Sequence, residues 1–167
     1  MKKITALIVM VLVLAALFGC AGSSAAVNGQ GSSLSISGTS ADFSEVQEKE
    51  WRLIDLLVNG ESIGFDREKE EKDFAGLYTL QFENERFAGT GAPNRYFGPY
   101  THGEDGAISI SQAASTLMAS LREPDILKEH EYFNWINNVY GWSLVDGNLH
   151  LLSKDNEKEA VLIFTNK

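Results

Sequence analysis

Short apolar runs separated by turn residues recur through residues 45–167 and set the strongest constraint on the fold. They include "WRLIDLLVNG", "LYTLQFENERFAGTG", "GAISIS", "GWSLVDGNLHLL" and "AVLIFTN". Tyr78, Leu80 and Phe82 alternate with other residues before the polar turn at 83–86, and an Asp-Gly-Asn turn at 146–148 separates two later runs. Alternation at hairpin spacing is typical of antiparallel strands. The sequence therefore predicts an α+β domain, mainly antiparallel β, arranged as a meander.

One helix is predicted within this meander, opening near Pro124. Proline suits a first helical turn, and Glu123 and Asp125 complement the positive end of the helix dipole. At about 100° per residue, the apolar side chains fall on one side, which we expect to pack on the sheet: Ile126, Tyr132, Phe133, Ile136, Val139 and Tyr140. Glu129 projects within this stripe, where a carboxylate is costly unless it is hydrogen-bonded. We expect Glu129 to be at least partly buried and to accept hydrogen bonds from residues 90–100 or the "ASTLM" segment, with Asn94, Arg95 and Thr116 as the likeliest donors. The alternative is that the first turn frays and leaves Glu129 in water.

The segment "TGAPNRYFGPY", residues 90–100, combines glycines, prolines and aromatic residues, and we call it the corner. Its glycines and prolines favour a tight or bulged backbone at an edge of the sheet, and Tyr96 and Tyr100 supply packing. The first interpretation is a structural corner. In the second, Asn94, Arg95 and Tyr96 line the mouth of a barrel and meet a partner or ligand there, because loops on rigid sheets often carry binding sites.

The first residues of the chain are typical of a secretory signal, which we assign to residues 1–19. Two lysines precede an apolar run from Ile4 to Phe18, which is shorter than the roughly 20 residues that a spanning helix needs. The run ends in Leu-Phe-Gly-Cys, which resembles a bacterial lipobox, although Phe18 is bulky where that motif usually has a small residue. The resemblance implies cleavage before Cys20 and attachment of diacylglycerol to it. The alternative is a buried cysteine after an uncleaved anchor.

Residues 21–44 are rich in serine and glycine and contain few large apolar side chains. Such a composition predicts disorder. We therefore expect residues 20–44 to be a lipidated cysteine with a flexible tether of roughly 25–30 Å reach, followed by one domain at residues 45–167. The alternating "SLSIS" within the tether is a candidate for an additional short strand.

The charge of the chain argues against two classes of partner. Its formal net charge is −9, and removing Lys2 and Lys3 with the signal gives −11 (−9 − 2). An acidic surface repels phosphate backbones and anionic headgroups, so we expect neither nucleic-acid binding nor peripheral docking on a membrane.

Residues that could carry chemistry are sparse and scattered. Cys20 is the only cysteine, so neither a disulfide framework nor a thiolate metal site is expected. The histidines lack metal-ligand spacing, and neither a nucleophile elbow nor a phosphate-binding loop is found. The mixed charges of "REKEEKD", residues 67–73, indicate a solvated loop rather than a calcium site. The sequence thus predicts no catalytic residue, no metal and no cofactor.

Several segments in order resemble one family. "NRYFGPY", "GAISI", "ASTLMAS", "EHEYFNWINNVYGWSLVDGNLHLL" and a final "LIF" are similar to the META domain of HslJ-like bacterial proteins, from about Trp51 to Phe164. The resemblance implies an open or cracked β-barrel with one packed helix, and it includes Asn94 and Glu129. Pro93 and Ser120 occupy the positions of two family cysteines, which implies that these two residues are neighbours in space.

The same resemblance implies an exported envelope protein linked to stress resistance, with no established catalytic residue. We therefore expect a monomeric, non-enzymatic protein that is anchored to the membrane by lipid at Cys20 and binds an unidentified envelope protein. Ala21 follows the cysteine in place of an inner-membrane retention aspartate, which favours the outer membrane. The alternative is a carrier that holds a lipid or another apolar ligand in a barrel cavity of about 300 Å³ or more.

Overall fold

A computed structural model describes residues 41–118 and 122–167 of the chain. These residues form ten strands: β1 Glu50–Val58, β2 Glu61–Ser62, β3 Thr79–Glu83, β4 Arg86–Thr90, β5 Arg95–His102, β6 Ile108–Ile110, β7 Ala114–Ser115, β8 Val139–Val145, β9 Asn148–Asp155 and β10 Lys158–Thr165. They also form two α-helices, α1 Arg67–Asp73 and α2 Glu129–Asn137. Short 3-10 helices lie at Phe43–Glu45 and Glu104–Gly106.

The strands build a nearly closed, barrel-like sheet. Paired strands are antiparallel and follow the order β6-β5-β4-β3-β1-β10-β9-β8, while β2 adds to β1 and β7 adds to β5. The outermost strands, β6 and β8, are in contact, and an isolated bridge joins Ala107 to Gly141 between them. One seam of the sheet is therefore unsealed, and the predicted open barrel-like meander is confirmed.

Tight two-residue turns join several neighbouring strands. Asp146 and Gly147 connect β8 to β9 with φ of 53° and 80°, and Asn59 and Gly60 connect β1 to β2 with φ of 51° and 84°. Positive φ at both positions is the conformation of a type I′ turn, whose twist matches that of paired strands. The turn residues seen in the sequence thus fix the register of these hairpins.

Large side chains fill the interior of the sheet. In the described part of the chain, seven aromatic residues are at most 1% exposed: Trp51, Tyr78, Phe82, Phe87, Tyr96, Tyr132 and Phe164. Helix α2 covers one end of this interior, where Tyr132 packs on Tyr78 with ring centroids 4.6 Å apart. The Ser153 hydroxyl of β9 donates to the Trp135 carbonyl at 2.7 Å and fastens the helix to the sheet.

Phe43 covers the opposite end. Its ring lies 5.4 Å from that of Phe82 at the far end of β3, and 5.0 Å from that of Trp142. Phe43 is only 4% exposed, so it belongs to the core and not to the tether that the sequence predicts up to residue 44. The correction has a physical reason: Asp42 caps the 3-10 helix by accepting from the Ser44 N–H at 2.9 Å, which turns Phe43 inward.

Residues 67–73 form helix α1 and not the predicted solvated loop. The Asp66 carboxylate caps the helix by accepting from the Lys69 N–H, and Arg67 pairs with Glu71 one turn later at 2.6 Å. The Arg67 guanidinium also donates to the carbonyls of Leu53 and Leu77. None of the helical residues is buried, so the segment lacks the apolar periodicity by which a helix is predicted.

Helix α2 begins later than predicted, at Glu129 and not near Pro124. The Lys128 N–H donates to the Glu131 carboxylate at 2.9 Å, which caps the helix at this point. Just before it, the Leu127 carbonyl accepts from the Tyr78 hydroxyl at 2.5 Å and is fixed to the sheet. The helix ends at Asn137, so two residues assigned to its apolar face, Val139 and Tyr140, lie in β8.

Candidate functional site

Residues 91–94 of the corner connect β4 to β5 in a tight loop, and residues 95–100 lie in β5. The Gly91 N–H donates to the Asn94 carbonyl at 2.6 Å, and the peptide between Ala92 and Pro93 is cis. Gly91 has no positive φ, and its role is to leave space. A Cβ at this position would lie 2.6 Å from Glu129 Oε1 and 2.8 Å from Phe133 Cζ. The loop therefore lies directly against the first turn of α2.

Glu129 is buried, with 8% of its surface exposed, and its carboxylate accepts three hydrogen bonds from the corner. Oε1 accepts from the main-chain N–H groups of Ala92 at 2.5 Å and Asn94 at 2.7 Å. Oε2 accepts from the Asn94 side-chain amide at 2.7 Å. Charge-assisted hydrogen bonds such as these offset the cost of burying the carboxylate.

Asn94 extends the connection to the segment around β7. Its Oδ1 accepts from the Met118 N–H at 2.7 Å and from the Thr116 hydroxyl at 2.8 Å. The Thr116 hydroxyl oxygen in turn accepts from the Arg95 N–H at 3.2 Å. We call Glu129, Asn94 and Thr116 the Glu129 cluster, which joins the helix, the corner and the β7 segment.

The predicted burial of Glu129 and its bonding to the corner are confirmed, with a difference in the donors. Asn94 donates as expected, whereas Arg95 and Thr116 contact Asn94 or each other rather than the carboxylate. The Ala92 N–H was not foreseen, because nothing in a side-chain pattern marks a main-chain donor. Arg95 itself has an exposed side chain.

Tyr96 and Tyr100 are both buried but at opposite ends of β5. Tyr96 donates to the Thr79 carbonyl at 2.7 Å, and its oxygen lies 2.8 Å from that of Tyr132. Since the single Tyr96 proton is used, Tyr132 is the donor of that pair. Burial raises the pKa values of Tyr78, Tyr96 and Tyr132 above their ordinary range, so these phenols stay neutral at physiological pH. Tyr100 instead accepts from Gln47 at 2.8 Å, far from the Glu129 cluster.

We expect Tyr132→Phe to lower the free energy of unfolding by about 1 kcal/mol, because it removes one buried hydrogen bond without leaving a donor unpaired. Urea unfolding followed by circular dichroism measures the change. Tyr140→Phe is the matched control, since Tyr140 is 39% exposed and its loss of a hydroxyl should change stability little. A loss at Tyr132 no larger than the loss at Tyr140 would show that the hydrogen bond between Tyr132 and Tyr96 does not contribute to stability.

Three expectations concern residues outside the described part of the chain. Cys20 and the tether up to residue 40 fall there, as does Ser120, the expected neighbour of Pro93. The lipid attachment, the disorder of residues 21–40 and the proximity of Pro93 to Ser120 stay predictions.

The Glu129 cluster positions elements and has no group free for catalysis. Both carboxylate oxygens and the Asn94 side-chain amide are engaged with one another or with main chain. Within residues 41–118 and 122–167, no group of three or more His, Cys, Asp and Glu side chains is arranged to hold a metal ion. His102, His130 and His150 lie on β5, α2 and β9 respectively. The arrangement can therefore fix the corner against α2, and nothing in it points to proton transfer.

A second region lies at the opposite end of the sheet, around His102. A cleft of about 360 Å³, which we call the seam cleft, is lined by residues 41–43, residues 102–106 and Trp142. An adjacent cleft of about 430 Å³, the hairpin cleft, is lined by Asn84, Glu85 and residues 99–102. The His102 ring contributes to both and stacks on Phe43, with centroids 4.4 Å apart.

Sequence alone does not predict this region, because the composition of residues 21–44 places Asp42 and Phe43 in the tether. The seam cleft carries the carboxylates of Asp42, Glu104 and Asp105, which are exposed. Hydrogen bonding from Ser44 holds the pKa of Asp42 below its ordinary value, so this group is charged at neutral pH. Asp42 followed three residues later by Glu45, the pattern of a capping box, was the available signal that the domain begins earlier.

Comparison with known proteins gives a family and a fold. A family model described as the META domain matches residues 44–167. No curated protein matches the sequence significantly. The chain is similar to a crystal structure of a DUF4847 family protein from Bacteroides vulgatus ATCC 8482, at 14% identity and a TM-score of 0.52, over 75% of this chain and 96% of that one. It is also similar to the NMR structure of a protein from Burkholderia xenovorans, at 19% identity and a TM-score of 0.55, over 73% and 85%.

These structural similarities concern the fold alone, since both identities are low. In the described residues, every helix is too short or too polar to cross a membrane.

Proposed function

The chain belongs to the META domain family, and on that premise we propose that it is a lipid-anchored, non-enzymatic binding module of the bacterial envelope that supports stress resistance. The META domain family is not a known enzyme family. The sequence before the domain supports the anchor, because an apolar run with two lysines ahead of it ends at Cys20 in a lipobox-like motif. By the rule that an aspartate after the cysteine retains such proteins in the inner membrane, Ala21 favours placement in the outer membrane.

The packed interior of the sheet is the observation that carries the binding role. Aromatic side chains fill it, α2 covers one end, and Phe43 covers the other. Buried polar groups at the α2 end are engaged with one another, as the Glu129 cluster shows. A domain built this way offers its surface and loops to other molecules rather than an internal reaction chamber.

The alternative function, that of a carrier, requires an internal cavity, but aromatic side chains fill the interior of the sheet. An apolar ligand requires a cavity of about 300 Å³ or more lined by apolar side chains. The seam cleft and the hairpin cleft are large enough, but they lie at the surface and carry charged side chains such as Glu85 and Glu104. The geometry therefore favours recognition of a polar partner over storage of a lipid.

Labelled palmitate should enter the protein in growing cells, and Cys20→Ala should abolish the labelling. The physical reason is that the thioether bond to diacylglycerol forms only on the cysteine sulfur, and Cys20 is the only cysteine of the chain. Ser24→Ala is the matched control, since it changes one side chain of the same segment and leaves the sulfur in place.

Continued labelling of the Cys20→Ala protein would overturn the anchor. Sedimentation of the Cys20→Ala and Ser24→Ala proteins with separated outer and inner membranes then tests in which membrane the lipidated protein lies. Cross-linking in intact envelopes, with lipid extraction of the same sample, separates the binding module from the carrier: the former yields a protein adduct, and the latter a copurifying lipid.

A further inference from the structure

We propose that the seam cleft binds an extended, cationic segment of a partner protein, which adds as a strand to the free edge of β8. Lysine or arginine side chains of that segment would then lie against Asp42, Glu104 and Asp105. This inference rests on the proposed function in one respect, that the domain is a binding module, and it names the chemistry of the partner.

The free edge of β8 is a consequence of the turn before β6. On the seam side, the described residues give β8 one bridge, at Gly141. Directly before Ala107 the chain turns away: the Ala107 N–H donates to the Glu104 carbonyl at 3.1 Å, and Asp105 has a φ of 55°. The edge from Trp142 to Val145 thus lacks a strand partner on that side within residues 41–118 and 122–167. An unpaired strand edge is a template for an added strand.

The negative charge of the seam cleft determines which kind of partner segment it attracts. Among the residues that the structure describes, its titratable lining groups are His102 and the three carboxylates, and neither lysine nor arginine lines it. Among the described residues, these three carboxylates form no ion pair. The chain as a whole carries −9 charges. Such a field attracts cationic segments and repels acidic ones.

Trp142 supplies an observation that is independent of the charge of the cleft. It forms part of the lining and is 2% exposed, and its indole N–H has no hydrogen-bond partner among the residues that the structure describes. By contrast, the indole N–H of Trp51 donates to the Val46 carbonyl at 2.8 Å. Buried donors are normally paired. A main-chain carbonyl of an added strand supplies the acceptor that Trp142 lacks, whereas a simple cation does not.

The test uses the purified full chain and synthetic peptides in which lysine alternates with valine, since side chains of a strand alternate between faces. Titration is followed by fluorescence anisotropy of a labelled peptide and by the indole N–H resonances of the protein. We expect the lysine peptide to shift the resonance of Trp142 and to leave Trp51 unmoved. A matched peptide with glutamate for lysine should not bind, and binding of the lysine peptide should weaken as salt is raised.

Two double variants distinguish binding at the seam cleft from attraction by the overall charge of the protein. Glu104→Gln with Asp105→Asn should weaken binding of the lysine peptide about fivefold, since exposed ion pairs contribute modestly. Glu61→Gln with Glu68→Gln removes the same charge from exposed positions that do not line the cleft, and should change the affinity little. A lysine peptide with alternate main-chain nitrogens methylated should bind weakly, because it cannot complete a strand ladder.

Each contrary result overturns the inference. Equal binding of the glutamate peptide, equal weakening by the two double variants, or binding that leaves the Trp142 resonance in place would exclude the seam cleft as the site. Full binding of the methylated peptide would exclude strand addition. These measurements involve no lipid, so their failure is distinguishable from failure of the palmitate labelling on which the envelope role depends.

Discussion

Glu129→Ala should lower the free energy of unfolding by about 3 kcal/mol, because each buried donor left without an acceptor costs about 1–3 kcal/mol. The carboxylate accepts from two main-chain N–H groups and the Asn94 amide, and alanine leaves all three donors without an acceptor. Urea unfolding monitored by tryptophan fluorescence measures the loss. The same variant should also loosen the corner, which amide hydrogen exchange at Ala92 and Asn94 would report.

Glu129→Gln tests whether the hydrogen bonds of the carboxylate, and not only the volume of the side chain, stabilise the protein. Glutamine has the same shape but brings two N–H donors to a site already surrounded by donors. Asn94 cannot turn its amide to compensate, because its Oδ1 already accepts from Met118 and Thr116. We therefore expect Glu129→Gln to cost about 2 kcal/mol. Glu131 is unsuitable as a control since it caps α2, whereas exposed Glu157→Ala should shift the urea midpoint only slightly. Equal, small shifts for Glu129→Ala and Glu157→Ala would show that the carboxylate is merely solvated.

Gly89→Ala should destabilise the sheet by about 3 kcal/mol, because the added methyl group has no space. A Cβ at Gly89 would lie 2.1 Å from the Thr79 carbonyl oxygen and 2.6 Å from the Tyr96 hydroxyl. The first atom belongs to the main chain of the paired strand β3, so relief requires the strands to separate. Thermal unfolding by calorimetry, together with the urea midpoint, measures the effect.

Gly103→Ala is the matched control for this substitution. Its φ is −132°, and the nearest atom to an added Cβ is the Ala107 Cβ at 3.7 Å, an ordinary contact. We expect no loss of stability there, and a small gain through the reduced freedom of the unfolded chain. Similar losses at both glycines would mean that crowding at Gly89 is not what excludes a side chain.

The hairpins could be predicted from the sequence because their information is local. The Asp146-Gly147 turn and the alternation of Tyr78, Leu80 and Phe82 each lie within a few residues of the strands they define. Helix α1 could not be predicted in this way, because it is fastened by Arg67 to carbonyls of other elements and buries no apolar face. The start of α2 likewise depends on a distant contact, between Leu127 and Tyr78.

The candidate site could be predicted only where the pattern of side chains along the sequence indicates a buried or bonded residue. Helical spacing placed Glu129 within an apolar stripe, and its burial followed. Gly91 and Gly98 of the corner, and Gly89 just before it, were expected to permit a tight or bulged backbone, yet none of the three has a positive φ. Their role is close approach, at Gly98 to the Phe87 ring, and such contacts are visible only in three dimensions. The seam cleft was missed because it joins residues that are far apart in sequence.

The pairing of β1 with β10 sets the order in which the sheet can form. Arg52 of β1 donates to a carbonyl 115 residues further along the chain, so this contact closes a very long loop. Contacts of such separation form slowly, since the entropy of loop closure must be overcome before they are stabilised. Until β10 has been synthesised, the edge of β1 that pairs with β10 is exposed. Incompletely synthesised or cleaved chains therefore expose a strand edge on which other chains can aggregate. We therefore expect the last strand to govern the folding rate of the domain and its dependence on chaperones.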